Sequence, residues 1–242
     1  MKQESVLRSI LVFNLFIERS DMSNIKTKDL FDLTKTVARS LLEKNEYPWD
    51  ALSSIGNFIL EIGKSLSLDE YNYLSQDVWI AKDVKIPPTA TIIGPTIIEN
   101  GTQIRPGAYI RGKVIIGKNC VIGNSCEIKN SIIFDNAQIP HFNYIGDSIV
   151  GYRAHTGAGA ITSNVKSDRT IVHINDGEKK IDTGLKKFGA MIGDGAEIGC
   201  NSVLNPGTII GKNTIVYPLS SVRGVVPADS IYKTADNIVV RK

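Results

Sequence analysis

Several residue types are scarce in this 242-residue chain, and each scarcity removes a class of function. There are three cysteines, Cys120, Cys126 and Cys200. None stands in a C-x-x-C pair, so a zinc site of that type is not expected. The odd count, with no secretory leader pattern, reads as a reducing cytoplasm. Long apolar runs are missing too. Ile10 to Phe16 is apolar, but Glu18 and Arg19 follow at once, and the stretch is too short to span a membrane. The charges nearly cancel, with 28 Lys and Arg against 25 Asp and Glu and a net +3. With no dense basic patch and 7% aromatic residues, nucleic acid is not an expected partner. Anionic small ligands are compatible with this balance. Gly157-Ala158-Gly159 is followed by no helical pattern, so a dinucleotide-binding reading fails.

What is present is a repeat. From Ile80, steps of six give Ile86, Ile92, Ile98, Ile104, Ile110, Ile116, Ile122 and Ile128. The series resumes as Ile192, Ile198, Leu204, Ile210, Val216 and Val222. A six-residue period of this length is the signature of a β-solenoid. Alternate side chains of a strand face opposite ways, so one stiff β-branched residue per unit points into the core. The next residue points out, which places Ala81, Glu99, Arg105, Arg111 and Lys129 on the outside. Gly and Pro recur at the expected corners. After Ile128 the register slips by one, to Ile133, Ile139 and Ile145, just before His141.

Three regions follow. Residues 1–76 read as helical, with Leu30, Leu33, Val37, Leu41 and Leu42 at helical spacing in Lys28 to Lys44. A second segment starts at Pro48 and sets Trp49, Leu52, Ile55, Phe58, Ile59 and Ile62 on one face. This region is expected to cover the open end of the solenoid. Residues 77–226 form the solenoid, interrupted at 165–187 by a charged excursion that breaks the repeat. Pro227 is expected to end the ladder, and 227–242 is a tail.

His141 follows a proline at the break in register, with Asn143, Tyr144 and Asp147 close by. A histidine there acts as a general base or is a packed or solvated turn residue. Arg105, Arg111 and Lys129 offer a phosphate clamp or an ordinary solvated face. Glu127 orients a histidine or is a surface carboxylate. The three histidines His141, His155 and His173 leave open a metal-dependent hydratase.

The motifs Ile104-Arg105-Pro106-Gly107, Cys126-Glu127-Ile128-Lys129, His141 to Asp147 and Gly157 to Asn164 carry a narrower resemblance. Residues 92–225 resemble the acetyltransferase domain of the bifunctional glucosamine-1-phosphate N-acetyltransferase / N-acetylglucosamine-1-phosphate uridylyltransferase enzymes. The stretch from Asp182 to Ala190 looks closest to archaeal-type members. The resemblance implies a mainly β fold, a left-handed parallel β-helix of the hexapeptide-repeat class with an N-terminal α-helical region. It implies acetyl-CoA as co-substrate, with no metal, and a homotrimer. His141 matches the base and Glu127 the carboxylate that orients it. Arg105 and Lys129 match the pair that grips the sugar 1-phosphate. Tyr144 and Asn164 match sugar-binding residues, and Ala158, Ala190, Lys186 and Lys187 fall toward the cofactor side.

Departures are visible. His155 replaces an asparagine that touches substrate. Lys166 or Arg169 replaces an expected lysine. Cys200 stands where a serine supports the oxyanion, and thiol is the poorer donor. The uridylyltransferase domain is replaced by about 74 helical residues. The leading expectation is an amino sugar phosphate N-acetyltransferase for nucleotide-sugar or envelope precursor synthesis. A separate nucleotidyltransferase is a conceivable partner, and no membrane is. The alternative is a non-catalytic sugar-phosphate or nucleotide-sugar binding module carrying a pyrophosphorylase-type name.

Overall fold

Pairing in the computed structural model, which describes residues 25–74, 76–176 and 179–241, explains why the repeat is six. Ile98 pairs with Ile116, eighteen residues on, while Ile104 and Ile110 lie on other strands of the same coil. One coil is therefore three hexads, one per face of a three-sided prism. On one face the inward residues are Ile80, Ile98, Ile116, Ile133, Val150, Ile192, Ile210 and Val226. All eight are buried, and neighbouring coils run parallel in register. A second face carries Ile92, Ile110, Ile128 and Ile145, then Thr162, Leu204 and Val222. A third carries Ile104, Ile122, Ile139, Thr156, Ile198, Val216 and Tyr232. The fold is mainly β, a parallel β-helix.

Inner corners are filled by small side chains that bond to backbone oxygens. Cys120 Sγ lies 3.0 Å from the Phe134 carbonyl and Cys126 Sγ 3.2 Å from that of Ile139. Both thiols are interior packing, and burial pushes that of Cys120 up to about 12.

The slip in the sequence is two slips. Ile116 to Ile133 is seventeen residues, and so is Ile133 to Val150. Strands Glu127–Ile133 and Tyr144–Val150 run round the corner between two faces without a break. The corner Arg111-Gly112-Lys113 of the coil before loses one residue in each. Asn130 and Asp147, at φ 46° and 47°, make the shortened turns. Asn and Asp are among the few residues that enter the left-handed region readily.

The described part of the helical region, from Ile25 on, corrects an expectation: it covers a flank, not the open end; residues 1–24, also expected to be helical, lie outside the described residues. The outward residues Ile97, Ile115, Ile132, Ile149 and Met191 of the first face are all fully buried. Helix Ile55–Gly63 and the 3-10 segment Pro48–Ser53 pack across this face. Trp49 meets Phe188, with ring centroids 5.8 Å apart, and Phe31 stacks on Phe134 at 5.1 Å. A Cβ on Gly63 would lie 2.7 Å from the Trp79 ring, so glycine is what lets the helix close on the sheet. We call this the helix-covered face. The segment expected as one helix from Lys28 to Lys44 is broken into Thr27–Leu30, a 3-10 turn Leu33–Lys35 and Arg39–Leu42. Phe31 and Thr36 are extended at the breaks. Placing the Phe31 ring against Phe134 outweighs continued helix, and Asp32 caps the next turn through Thr34.

The ends are finished by strands. Tyr71–Leu74 pairs antiparallel with Val78–Ala81 at the start. At the other end Ser230–Thr234 adds a further rung past Pro227, and Asn237–Val240 folds back on it antiparallel. The ladder thus extends into what the repeat alone marks as a tail. Ala81 and Glu99, expected outside, are buried beside Tyr71. No helix among the described residues is long and apolar enough to cross a membrane. Ile10 to Phe16 lies outside the described residues.

Candidate active site

Among the described residues no helix covers the second face, and Tyr109, Arg111, Glu127, Lys129 and Tyr144 stand outward on its middle coils. Tyr109 is the register neighbour of Glu127, and Glu127 of Tyr144. Ile110 pairs with Ile128, so Arg111 and Lys129, each next along its strand, follow one another from coil to coil. Arg111 Nη1 donates to Glu127 Oε1 at 2.6 Å, and its guanidinium lies 5.8 Å from the Tyr109 ring. That hydrogen bond holds the Arg111 pKa above its ordinary value. Burial raises the Tyr144 hydroxyl, with the Asp147 carboxylate adding to the effect.

At the shortened corner the polar groups converge on Asp147, whose side chain is 5% exposed. Asn130 Nδ2 donates to its Oδ1 at 2.8 Å, and Lys129 Nζ stands 3.4 Å from Oδ2. The Asn164 amide donates to Oδ2 and, at 3.2 Å, to the Tyr144 hydroxyl. A carboxylate taken this far from water needs such donors.

His141 closes strand Gln138–His141 on the third face, at the edge leading directly to Tyr144. Its ring is exposed, 6.3 Å from that of Phe142. The backbone beneath it is fixed: Asn143, 2% exposed, accepts from the His141 N–H and donates to the Gly157 and Ala160 carbonyls. Along this edge His141 is followed by Ala158 and then Cys200. Gly159 N donates to the His141 carbonyl, and Asn201 N to that of Ala158.

The expected site residues are thus only partly brought together. Lys129, Tyr144, Asn164 and Glu127 share one face, and His141, Ala158 and Cys200 share its border. Glu127 bonds to Arg111 and makes no hydrogen bond to His141. Arg105 lies on the third face beside Gln103, in a different sheet from Lys129. One chain therefore stacks Arg111, not Arg105, with Lys129. Ala190 is fully buried on the helix-covered face, its N–H donated to Ser148 Oγ. His155 Nδ1 is 2.8 Å from Glu197 Oε2 on the third face. Lys166 bonds to Thr170 and lies 3.2 Å from Asp168, while Arg169, Lys186 and Lys187 are exposed on the excursion. His173 stands on the excursion hairpin His173–Asp176/Lys179–Asp182, so the three histidines occupy three separate places. Among the described residues no three His, Cys, Asp or Glu side chains gather as a metal site would require.

Arg111 comes from the outward series and not from a motif, Asp147 ends the motif that starts at His141 without a role of its own there, and Asn130 belongs to no motif. A signal for two of them exists: Asn130-Ser131-Ile132-Ile133 and Asp147-Ser148-Ile149-Val150 repeat at seventeen residues, not eighteen.

The coil architecture and the family comparisons agree: the chain carries a hexapeptide-repeat domain. Residues 189–224 match the bacterial transferase hexapeptide family (six repeats), and residues 92–177 match the family described as the GMPPB C-terminal domain. More particularly, 198 residues are 34% identical to the "Bifunctional protein GlmU" of Methanococcus maripaludis, covering 81% of this chain and 48% of that protein. A shorter stretch of 102 residues is 35% identical to the "Bifunctional sugar-1-phosphate nucleotidylyltransferase/acetyltransferase" of Sulfurisphaera tokodaii, 42% of this chain and 25% of that one. The chain therefore spans half or less of these relatives. Among solved structures, the Bacillus cereus N-acyltransferase AntD, in complex with dTDP-4-amino-4,6-dideoxyglucose and coenzyme A, is 16% identical. It covers 73% of this chain and 92% of that one at a TM-score of 0.35.

Proposed function

We propose that the chain is an acetyl-CoA-dependent N-acetyltransferase acting on an amino sugar phosphate such as glucosamine 1-phosphate. The observation that carries this reading is one border. His141 stands at the edge where the face bearing Arg111, Glu127, Lys129 and Tyr144 begins. The stacked cations suit a sugar phosphate, by charge-assisted bonds and a planar guanidinium. His141 takes a proton from the sugar ammonium. The freed amine attacks the thioester carbonyl, the carbon–nitrogen bond forms as the carbon–sulfur bond breaks, and the proton that the new amide nitrogen sheds goes to the departing thiolate. The edge of Ala158 and Cys200, with Lys186 and Lys187, is the side assigned to acetyl-CoA. The name of the Sulfurisphaera tokodaii relative, a sugar-1-phosphate nucleotidylyltransferase/acetyltransferase, supports the same substrate class. A homotrimer, by lateral contact of solenoids, and a separate nucleotidyltransferase partner belong to this reading, as does action in the cytoplasm.

Thiol release from acetyl-CoA with glucosamine 1-phosphate tests it. Removing a general base costs roughly 10²–10⁴-fold in rate, so His141→Ala is expected to lose that much. No turnover by the wild type, or full turnover by the variant, rejects the reading. Glu127 held by Arg111 favours one alternative, a binding module without catalysis. That alternative predicts a raised Tm with sugar phosphate and no thiol release.

A further inference from the structure

The structure assigns to Asp147 a role that no motif gives it: it clasps the foot of the excursion and orients Lys129 and Asn164 on the candidate phosphate face. This deepens the acetyltransferase reading and rests on it for the identity of the ligand. The ladder is interrupted between Thr162 and Ala190, yet Val150 still pairs with Ile192. The chain leaves at Asn164 and returns at Phe188 and Gly189. Asp147 holds both sides of the gap. Its carboxylate accepts from the Asn164 amide, and its backbone carbonyl accepts from Gly189 N at 2.8 Å. Phe188 N donates to the Asn164 carbonyl at 3.0 Å, closing the ring.

The same carboxylate reaches the ligand face. Oδ2 faces Lys129 Nζ, and Asn164 extends from it to the Tyr144 hydroxyl. Asn130 occupies the other oxygen, so the carboxylate has no freedom to turn away. Lys129 is a flexible four-carbon arm, and a fixed anion beside its ammonium reduces the ordering required when phosphate binds. This makes Asp147 a positioning residue. It exists because the second coil is one residue short, which brings it above Asn130.

Asp147→Asn distinguishes this from two simpler roles. It removes a negative charge near a phosphate site, so electrostatics alone predicts tighter binding. A merely structural role moves Tm, kcat and both KM values together. Positioning predicts roughly tenfold weaker binding of glucosamine 1-phosphate, the scale of one hydrogen bond to a charged group. The KM for acetyl-CoA is expected to stay unchanged. Calorimetric titration of glucosamine 1-phosphate without acetyl-CoA measures the binding independently of turnover. Hydrogen exchange measures the clasp independently of any ligand. Exchange at Phe188 and Gly189 is expected to speed up while Ile149 and Val150 keep their protection. Wild-type binding without turnover would reject the acetyltransferase reading and leave the clasp standing. Unchanged or tighter binding by Asp147→Asn would overturn the positioning role. Unchanged exchange at Phe188 and Gly189 would overturn the clasp, and it decides alone if the wild type binds no sugar phosphate.

Discussion

On the helix-covered face the outward side chains are Ile97, Ile115, Ile132 and Ile149, all at 0% exposure. On the face with Arg111 the outward side chains of two of these coils are Tyr109, Arg111, Glu127 and Lys129, all reaching solvent. In the coils that carry Arg111 and Lys129 the inward residues of both faces are isoleucines. Strand register therefore builds the coil equally on both sides, and the outward residue alone decides whether a face becomes a scaffold joint or a reactive surface. The helical region uses the apolar outward row as its floor. The polar row is left for a ligand.

The sharpest test of that division is stability. Ile132→Ala removes a fully buried side chain from between sheet and helices, and a cost of about 2–5 kcal/mol in denaturant unfolding is expected. Arg111→Ala on the other face is expected to leave the urea midpoint unmoved. Equal effects would erase the distinction. The next test is binding. Arg111→Ala is expected to raise the KM for the sugar phosphate roughly tenfold or more, from the loss of a charge-assisted contact. Arg105→Ala, on the third face, is expected to raise it less. The reverse order would show that the motif is a better guide than the face.

A further test concerns the edge where the helix-covered and third faces meet. Burial, with some repulsion from Asp135, pushes Glu99 up to about 7; Tyr71 and Lys118 work against the shift. The unfolded carboxyl titrates near its ordinary value of about 4.3. The folded chain therefore holds a proton that the unfolded chain releases, and this group's contribution to stability falls as pH rises between about 4.3 and 7, then levels off. Glu99→Gln is expected to flatten that part of the pH–stability curve and to raise Tm at pH 8. On the order of 3 kcal/mol is the upper end of the effect. A curve that keeps its slope would place the proton elsewhere.

The inward ladder was legible because one β-branched residue per six has no other explanation over fifteen rungs, from Ile80 to Ile128 and Ile192 to Val222. The helix-covered face was not, because a second apolar residue beside each rung, as in Ile97-Ile98 or Ile115-Ile116, looks like more core until coils are folded three hexads at a time. Arg105 was favoured over Arg111 by the family resemblance alone, because the period could not separate the two. A six-residue period treats all outward positions as equivalent, but successive hexads lie on different faces. The first slip was visible as Ile133. The second, from Ile145 to Val150, was hidden because Thr156 and Thr162 continue it without isoleucine. The helices were legible in composition, but the break at Phe31 depends on Phe134, a residue distant in sequence.

The interruption of the ladder has a consequence for how such a chain changes. Val150 to Ile192 is forty-two residues, and neighbouring uninterrupted steps are seventeen or eighteen. The inserted length is borne wholly by one corner, and the ladder beyond it keeps its register. Loop closure grows only slowly in cost with length. A corner of this prism thus works as a graft point. A segment can be exchanged there for one that meets a different ligand, while the coils on either side continue to specify the same solenoid.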